Sequence, residues 1–137
     1  MYPNPWLFDG KPFDTQDIPE EAYGFVYCVE NTLTGRKYIG KKFFWKVLRR
    51  KVAGRKNRKV VKSESDWKKY YGSNKELLED LRINGEEHFK RSIVRICNNK
   101  TECAYYEMKA QIDLEVLLRE DYYNEFIGGK IVGRNLL

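Results

Sequence analysis

At 137 residues the chain suits one ordinary domain, and a hydrophobic content of 42% supplies a core and argues against global disorder. No run approaches the ~20 apolar residues of a membrane span. Residues 1–10 lack the basic-then-apolar order of a signal peptide, so a cytoplasmic address is expected. Lys and Arg number 26 against 20 acids, a net charge of +6. Residues 1–21 hold Asp9, Asp14, Asp17, Glu20 and Glu21 against Lys11, which is −4 and leaves +10 on the rest. A basic body of that size points to a polyanionic partner, usually nucleic acid. Cys28, Cys97 and Cys103 form no C-x-x-C pair and His88 is the only histidine, so neither a disulfide framework nor a Cys/His zinc site is supported. Reduced thiols in apolar segments are expected.

All four prolines, Pro3, Pro5, Pro12 and Pro19, lie in the first 19 residues, which reads as an extended arm with Trp6, Leu7, Phe8 and Phe13 to dock it. Tyr23 to Val29 is aromatic and β-branched and reads as a buried strand. Asn31 to Gly35 is a turn, and Arg36 to Gly40 is the return strand of a hairpin. Residues 41–62 contain eleven basic residues and no acid. Phe44, Leu48 and Val52 recur at helical spacing, yet Arg50-Lys-Val52 and Arg58-Lys-Val60 flank a turn-like stretch that suits a basic hairpin; both readings stand. Ser73 or Asn74 can cap a helix from Lys75 to about Asn84, ended by Gly85. Phe89 to Cys97 reads as a third strand. Thr101 is an N-cap candidate for a long helix to about Leu118, with Ala104, Tyr105, Met108, Ile112 and Val116 as its apolar stripe. The tail from Asp121, with Gly128-Gly129 and Gly133, is loop-rich.

Tyr27 and Tyr38 stand on successive predicted strands, which a hairpin brings together across a sheet face. Glu107 lies on the long helix with Gln111 one turn later, and Asn124 follows in Tyr122-Tyr-Asn-Glu-Phe126. Phe25-Val-Tyr27 followed by Tyr38-Ile-Gly40 resembles the paired signature of the GIY-YIG nuclease family. The resemblance continues through Tyr71-Gly-Ser73, Asn84-Gly-Glu-Glu-His-Phe89, Glu107 and Tyr123-Asn124, covering roughly residues 23–126. The later segments are most similar to stand-alone and homing nucleases of bacteriophages.

The resemblance implies an α+β fold: a small three-stranded antiparallel sheet flanked by helices. The arm at 1–21 would precede a nuclease domain at 22–137 that includes the basic insertion 41–62. It also implies a metal-dependent endonuclease hydrolysing phosphodiester bonds. Tyr27 would be the general base or its close helper, Tyr38 would orient the water, Glu107 would hold the metal, and Asn124 would fix a phosphate or the local backbone. The family's catalytic arginine falls near Leu48 here, so Arg49, Arg50 and Lys42 are the candidates, with Arg49 preferred. The chemistry agrees: a single hard carboxylate with waters and phosphate suits Mg²⁺ or Mn²⁺, and a tyrosine base needs nearby positive charge from the metal or from Lys41, Lys42, Arg49 or Arg50.

Lys42, Lys46, Arg50, Arg55, Lys56, Arg58, Lys59 and Tyr71 are the expected DNA contacts. No membrane partner is expected, and the sequence does not specify an oligomeric state. Two other readings compete. One is a non-catalytic nucleic-acid binder using basic residues among Phe43, Phe44, Trp45, Trp67, Tyr70 and Tyr71. The other is a phage protein that binds a host factor through Trp6 to Phe13.

Overall fold

The structure, a computed structural model, describes residues 1–51, 53–54, 56, 59–128, 133 and 136, and for 49, 50 and 59–61 it describes the backbone alone. Strands β1 (Leu7–Phe8) and β2 (Lys11–Pro12) form a tight hairpin, followed by β3 (Gly24–Asn31) and β4 (Lys37–Phe43). Strands β5 (Trp45–Arg50) and β6 (Lys59–Glu64) come next, then helix α1 (Lys75–Asn84), β7 (Phe89–Cys97) and helix α2 (Lys100–Asp113). One sheet has the order β2-β1-β7-β3-β4; β5 and β6 form a second sheet of their own.

Strand β3 is central, antiparallel to β4 on one side and to β7 on the other, with a register shift between Val26 and Tyr27. Strand alternation divides its side chains. Phe25, Tyr27 and Val29 join one core with Trp6, Phe13, Phe44, Trp67 and Leu77, whereas Val26 joins a second core with Ile39, Cys97, Cys103 and Val116. Both faces are covered, which is why β3 reads as a near-continuous apolar run.

The three expected strands are present, with β4 and β7 each antiparallel to β3, but the sheet is larger than three strands. The prolines do not keep the arm out of it. β1 pairs in parallel with β7 at Leu7↔Ser92, so the sheet is mixed. Trp6 is fully buried and donates through Nε1 to the Trp67 carbonyl at 2.7 Å. The side chain of Arg91, 1% exposed, donates to the carbonyls of Pro3, Asn4, Lys68 and Tyr70 and so ties the arm to the segment before α1.

Of residues 41–62, Lys41–Phe43 continue β4 in the main sheet, and from Trp45 on the hairpin reading holds, in register from Trp45↔Glu64 to Arg50↔Lys59; Val52, Arg55 and Arg58 lie outside the described residues. Helix α1 has the expected cap, with Asn74 Oδ1 accepting from Leu77 N at 2.9 Å, and ends at Gly85. Helix α2 departs from expectation at both ends. Asn99, not Thr101, is its N-cap, and the helix stops at Asp113, before Glu115 adopts a left-handed φ of 52°. The expected stripe is also displaced: Tyr105 and Ile112 are exposed, and the buried positions are Cys103 and Gln111. The apolar pattern misleads because the inward face carries polar groups. Among the described residues no helix is long and apolar enough to cross a membrane.

Candidate active site

A cleft of about 590 Å³ opens along β4, the last strand of the main sheet, walled by α2, the start of α1 and the base of the β5–β6 hairpin. Tyr27, Tyr38, Glu107 and Asn124, far apart in sequence, all line it, together with Lys41, Lys42, Lys46 and Tyr70. Tyr27 and Tyr38 come from one sheet face and Lys41 from the other, so the cleft wraps around the strand at Gly40.

Tyr27 is 1% exposed, and its ring lies 6.2 Å from Tyr38 and 6.0 Å from Tyr70. Two glycines make room for its hydroxyl. A Cβ at Gly40 would collide with Tyr27 Oη and come within 2.6 Å of Cζ; one at Gly72, where φ is +123°, would come within 3.3 Å of Oη. Burial pushes the Tyr27 pKa well above its ordinary value, and the neighbouring Tyr70, Tyr38 and Glu107 push the same way. Tyr38 is half-buried, with Oη 3.3 Å from Ser73 Oγ, and burial raises its pKa too. Both hydroxyls therefore hold their protons at neutral pH in the protein alone, and only added positive charge would draw either toward a basic role.

Glu107 projects from α2 with its side chain 13% exposed and Oε1 3.2 Å from Lys41 Nζ. Burial raises its pKa, and the Lys41 ammonium opposes that shift. Lys42 bonds Asp66 at 2.7 Å and lies over the Tyr70 ring at 4.2 Å, while Lys46 is exposed at the cleft wall. The first turn of α1 also faces the cleft through Asn74 and Lys75, placing the positive end of a helix there.

Asn124 is 8% exposed and bonded to backbone. Its Oδ1 accepts from Ile39 N at 3.0 Å, and its Nδ2 donates to Ile39 O at 2.8 Å. Gln111 Nε2 donates to the same carbonyl at 3.0 Å. Of the two roles expected for Asn124, phosphate or backbone, the geometry supplies the second.

Tyr71 does not join the basic surface. It is 6% exposed, its hydroxyl accepts from Asn4 Nδ2 at 3.0 Å, and Arg91 lies 4.2 Å from its ring centroid, so it is a core residue and Tyr70 takes the cleft position. The side chains of Arg49, Arg50 and Lys59, and all of Arg55 and Arg58, lie outside the described residues; Lys56 is exposed. His88 sits away from the cleft, 3.7 Å from Glu87. The three cysteines are free thiols.

A divalent cation is compatible with this donor set in one form only. Among the described residues no group of three or more His, Cys, Asp or Glu converges. Glu107 would be the protein ligand, completed by waters and substrate oxygens, which is an ordinary magnesium shell. Lys41 pairs with that carboxylate at 3.2 Å and would have to turn away for a cation to take its place.

Sequence reasoning missed the pairing of Lys41 with Glu107 and the part played by Ser73 and Gly72. Tyr71-Gly-Ser73 was visible as a motif, but nothing local indicates that its glycine lies against the Tyr27 hydroxyl.

No match was found among curated proteins or solved structures. The family model described as "Putative endonuclease segE, GIY-YIG domain" matches residues 6–127, well over half of the chain. That match, over most of the chain and including the segments that bring Tyr27, Tyr38 and Glu107 into one cleft, shows that the chain belongs to the GIY-YIG nuclease family.

Proposed function

We propose that the protein is a DNA endonuclease that hydrolyses phosphodiester bonds with one Mg²⁺ or Mn²⁺. The observation that carries this reading is the convergence of Tyr27, Tyr38, Lys41 and Glu107 in one cleft flanked by Lys42 and Lys46. Glu107 would hold the cation. When bound, that cation supplies charge to the scissile phosphate and acidifies a water.

The chain's own groups do the rest. Tyr38 Oη, braced by Ser73, orients the attacking water. Tyr27 Oη, held in a fixed position by the close approach of Gly40 and Gly72, forms the second hydrogen bond to that water. It takes up the water's proton only as a phenolate, once positive charge at Glu107 has lowered its pKa and its own proton has passed to solvent through the cleft. Lys41 can turn from Glu107 to a phosphate oxygen when that carboxylate is engaged. Lys42, Lys46 and the first turn of α1 attract the flanking phosphates.

Incubation with plasmid DNA in Mg²⁺, Mn²⁺ or EDTA tests the reading, with Glu107→Gln as the control. Cutting should require the cation. The variant should bind DNA but cut slower by on the order of 10²–10³, the equivalent of several kcal/mol of transition-state stabilisation. Wild-type cutting by Glu107→Gln would remove Glu107 from the site, and no cutting under any condition would leave a binding protein on a nuclease scaffold.

A further inference from the structure

The β5–β6 hairpin stands apart from the main sheet, and among the described residues each of its strands pairs only with the other. Nine of the twenty residues from Trp45 to Glu64 are basic, and one, Glu64, is acidic. The base of the hairpin is firmly fixed. Trp45 Nε1 donates to Ala22 O at 3.2 Å, Ser65 N donates to Phe44 O at 2.8 Å, and Glu64 accepts from Thr15 Oγ1 at 2.7 Å and Trp67 Nε1 at 2.8 Å. Beyond that base, Val47 and Leu48 are each 45% exposed although they alternate to opposite faces of the strand. A lone two-stranded ribbon is marginal in water, and like charges along it repel. A polyanion that accepts a ribbon relieves both problems.

We propose that this hairpin reads duplex DNA by lying in its major groove beside the cleft, an inference that rests on the DNA reading above. A two-stranded ribbon fits a major groove about 12 Å wide. Basic side chains then reach the phosphate walls, while the ribbon face turned to the groove floor brings one of the two, Val47 or Leu48, against base edges such as thymine methyls.

Single strands are bound differently, by stacking unpaired bases on exposed aromatics. The hairpin offers no such platform. Trp45, the one aromatic from 45 to 64, is half-buried with Lys62 Nζ 4.5 Å from its ring, and the adjoining Phe44 and Trp67 are fully buried. Six residues of strand at ~3.4 Å each carry the ribbon roughly 20 Å from the cleft, about six base pairs. Contacts therefore extend to one side of the cut.

The test measures binding of the intact protein, without divalent cation, to one sequence as DNA duplex, DNA single strand and RNA duplex. The variant is Lys51→Gln/Lys56→Gln/Arg58→Gln/Lys59→Gln. Its DNA-duplex affinity should fall by at least about tenfold, and its slope of log affinity against log salt should flatten by about 3 to 4, one phosphate contact per residue. Single-strand affinity should change far less. Should the quadruple variant fail to fold by circular dichroism, Lys51→Gln/Lys56→Gln, both exposed positions, should show about half the slope change.

Equal losses on duplex and single strand, tighter binding to RNA duplex, or unchanged duplex binding would each overturn the proposal. The two readings fail separately. Wild-type protein that cuts DNA while the variant binds duplex normally sinks the hairpin and spares the nuclease. Hairpin-dependent duplex binding with no cutting does the reverse.

Discussion

Tyr27 has a ring that the core requires and a hydroxyl that it does not. The ring packs among Trp6, Phe25 and Tyr70, and phenylalanine would fill the same space. Tyr27→Phe should therefore melt close to wild type and bind DNA normally, while cleavage falls by about 10²–10⁴, the usual worth of a group that handles the reacting proton. Normal cleavage would pass the role to Tyr38. Gly40 is the counterpart in the backbone. Gly40→Ala forces a methyl against the Tyr27 hydroxyl, an overpacking that should destabilise by about 1–3 kcal/mol and displace the hydroxyl as well. In Gly40→Ala/Tyr27→Phe the nearest clash is gone, though Cζ is still close, so part of the lost stability should return. Simple addition of the two effects in thermal melts would mean that the two residues do not meet. Both tyrosines and this glycine were legible in the sequence as a short signature. The reason for the glycine was not, because it depends on a side chain thirteen positions away.

At the scale of elements, Asn124 is bound to the edge of a strand. Strand β4 is the edge of the main sheet, and an edge strand leaves backbone groups unpaired. The segment after α2 closes it. Lys37 N donates to Asp121 O at 2.9 Å, Tyr123 N donates to Lys37 O at 2.7 Å, and the Asn124 amide then takes both the N–H and the carbonyl of Ile39. Ile39 lies between Tyr38 and Gly40, so Asn124 acts on the site as a positioning residue. Asn124→Ala should cost about 1–3 kcal/mol by leaving the Ile39 N–H unpaired, while the Ile39 carbonyl keeps Gln111. Asn124→Asp should also destabilise, since a carboxylate can accept from Ile39 N but cannot donate to Ile39 O. A variant that loses cleavage with an unchanged melting temperature would instead restore a direct phosphate role. The same closure accounts for α2. Its inward face must supply Glu107 to the cleft and Gln111 to β4, so the expected apolar stripe is absent where function lies.

For the molecule as a whole, the arm and the nuclease fold share one core. Trp6 packs edge-on against Phe25 and Tyr27, at 5.1 Å from each ring, and Arg91 takes carbonyl partners from both the arm and the Lys68–Tyr70 segment. Trp6→Ala should therefore cost about 3–5 kcal/mol, with one unfolding transition in chemical denaturation followed by both tryptophan fluorescence and circular dichroism. Two separated transitions would mean that the arm is a detachable unit. Arm, segment and cleft are contiguous, so loosening the arm should also loosen Tyr70 and Gly72.

By itself the sequence determined the element types that local pattern controls: the β3–β4 hairpin, the capped helix α1, strand β7, and the uneven charge that concentrates basic residues at 41–62. The candidates for the chemistry came from the resemblance of Phe25-Val-Tyr27 and Tyr38-Ile-Gly40 to a paired family signature, since strand tyrosines and a helix carboxylate taken singly are ordinary core or surface residues. The tertiary structure alone decided that the proline-containing arm adds strands to the sheet, because Leu7 finds its partner 85 positions away at Ser92. It decided between helix and hairpin for residues 45–64, where both periodicities were present and the fixed base at Phe44, Ser65 and Trp67 selects the strand pair. It likewise removed Tyr71 from the surface and gave Lys41 to Glu107. Local pattern reports what a segment can form, and only the contacts between distant segments settle which side chains are left facing the cleft.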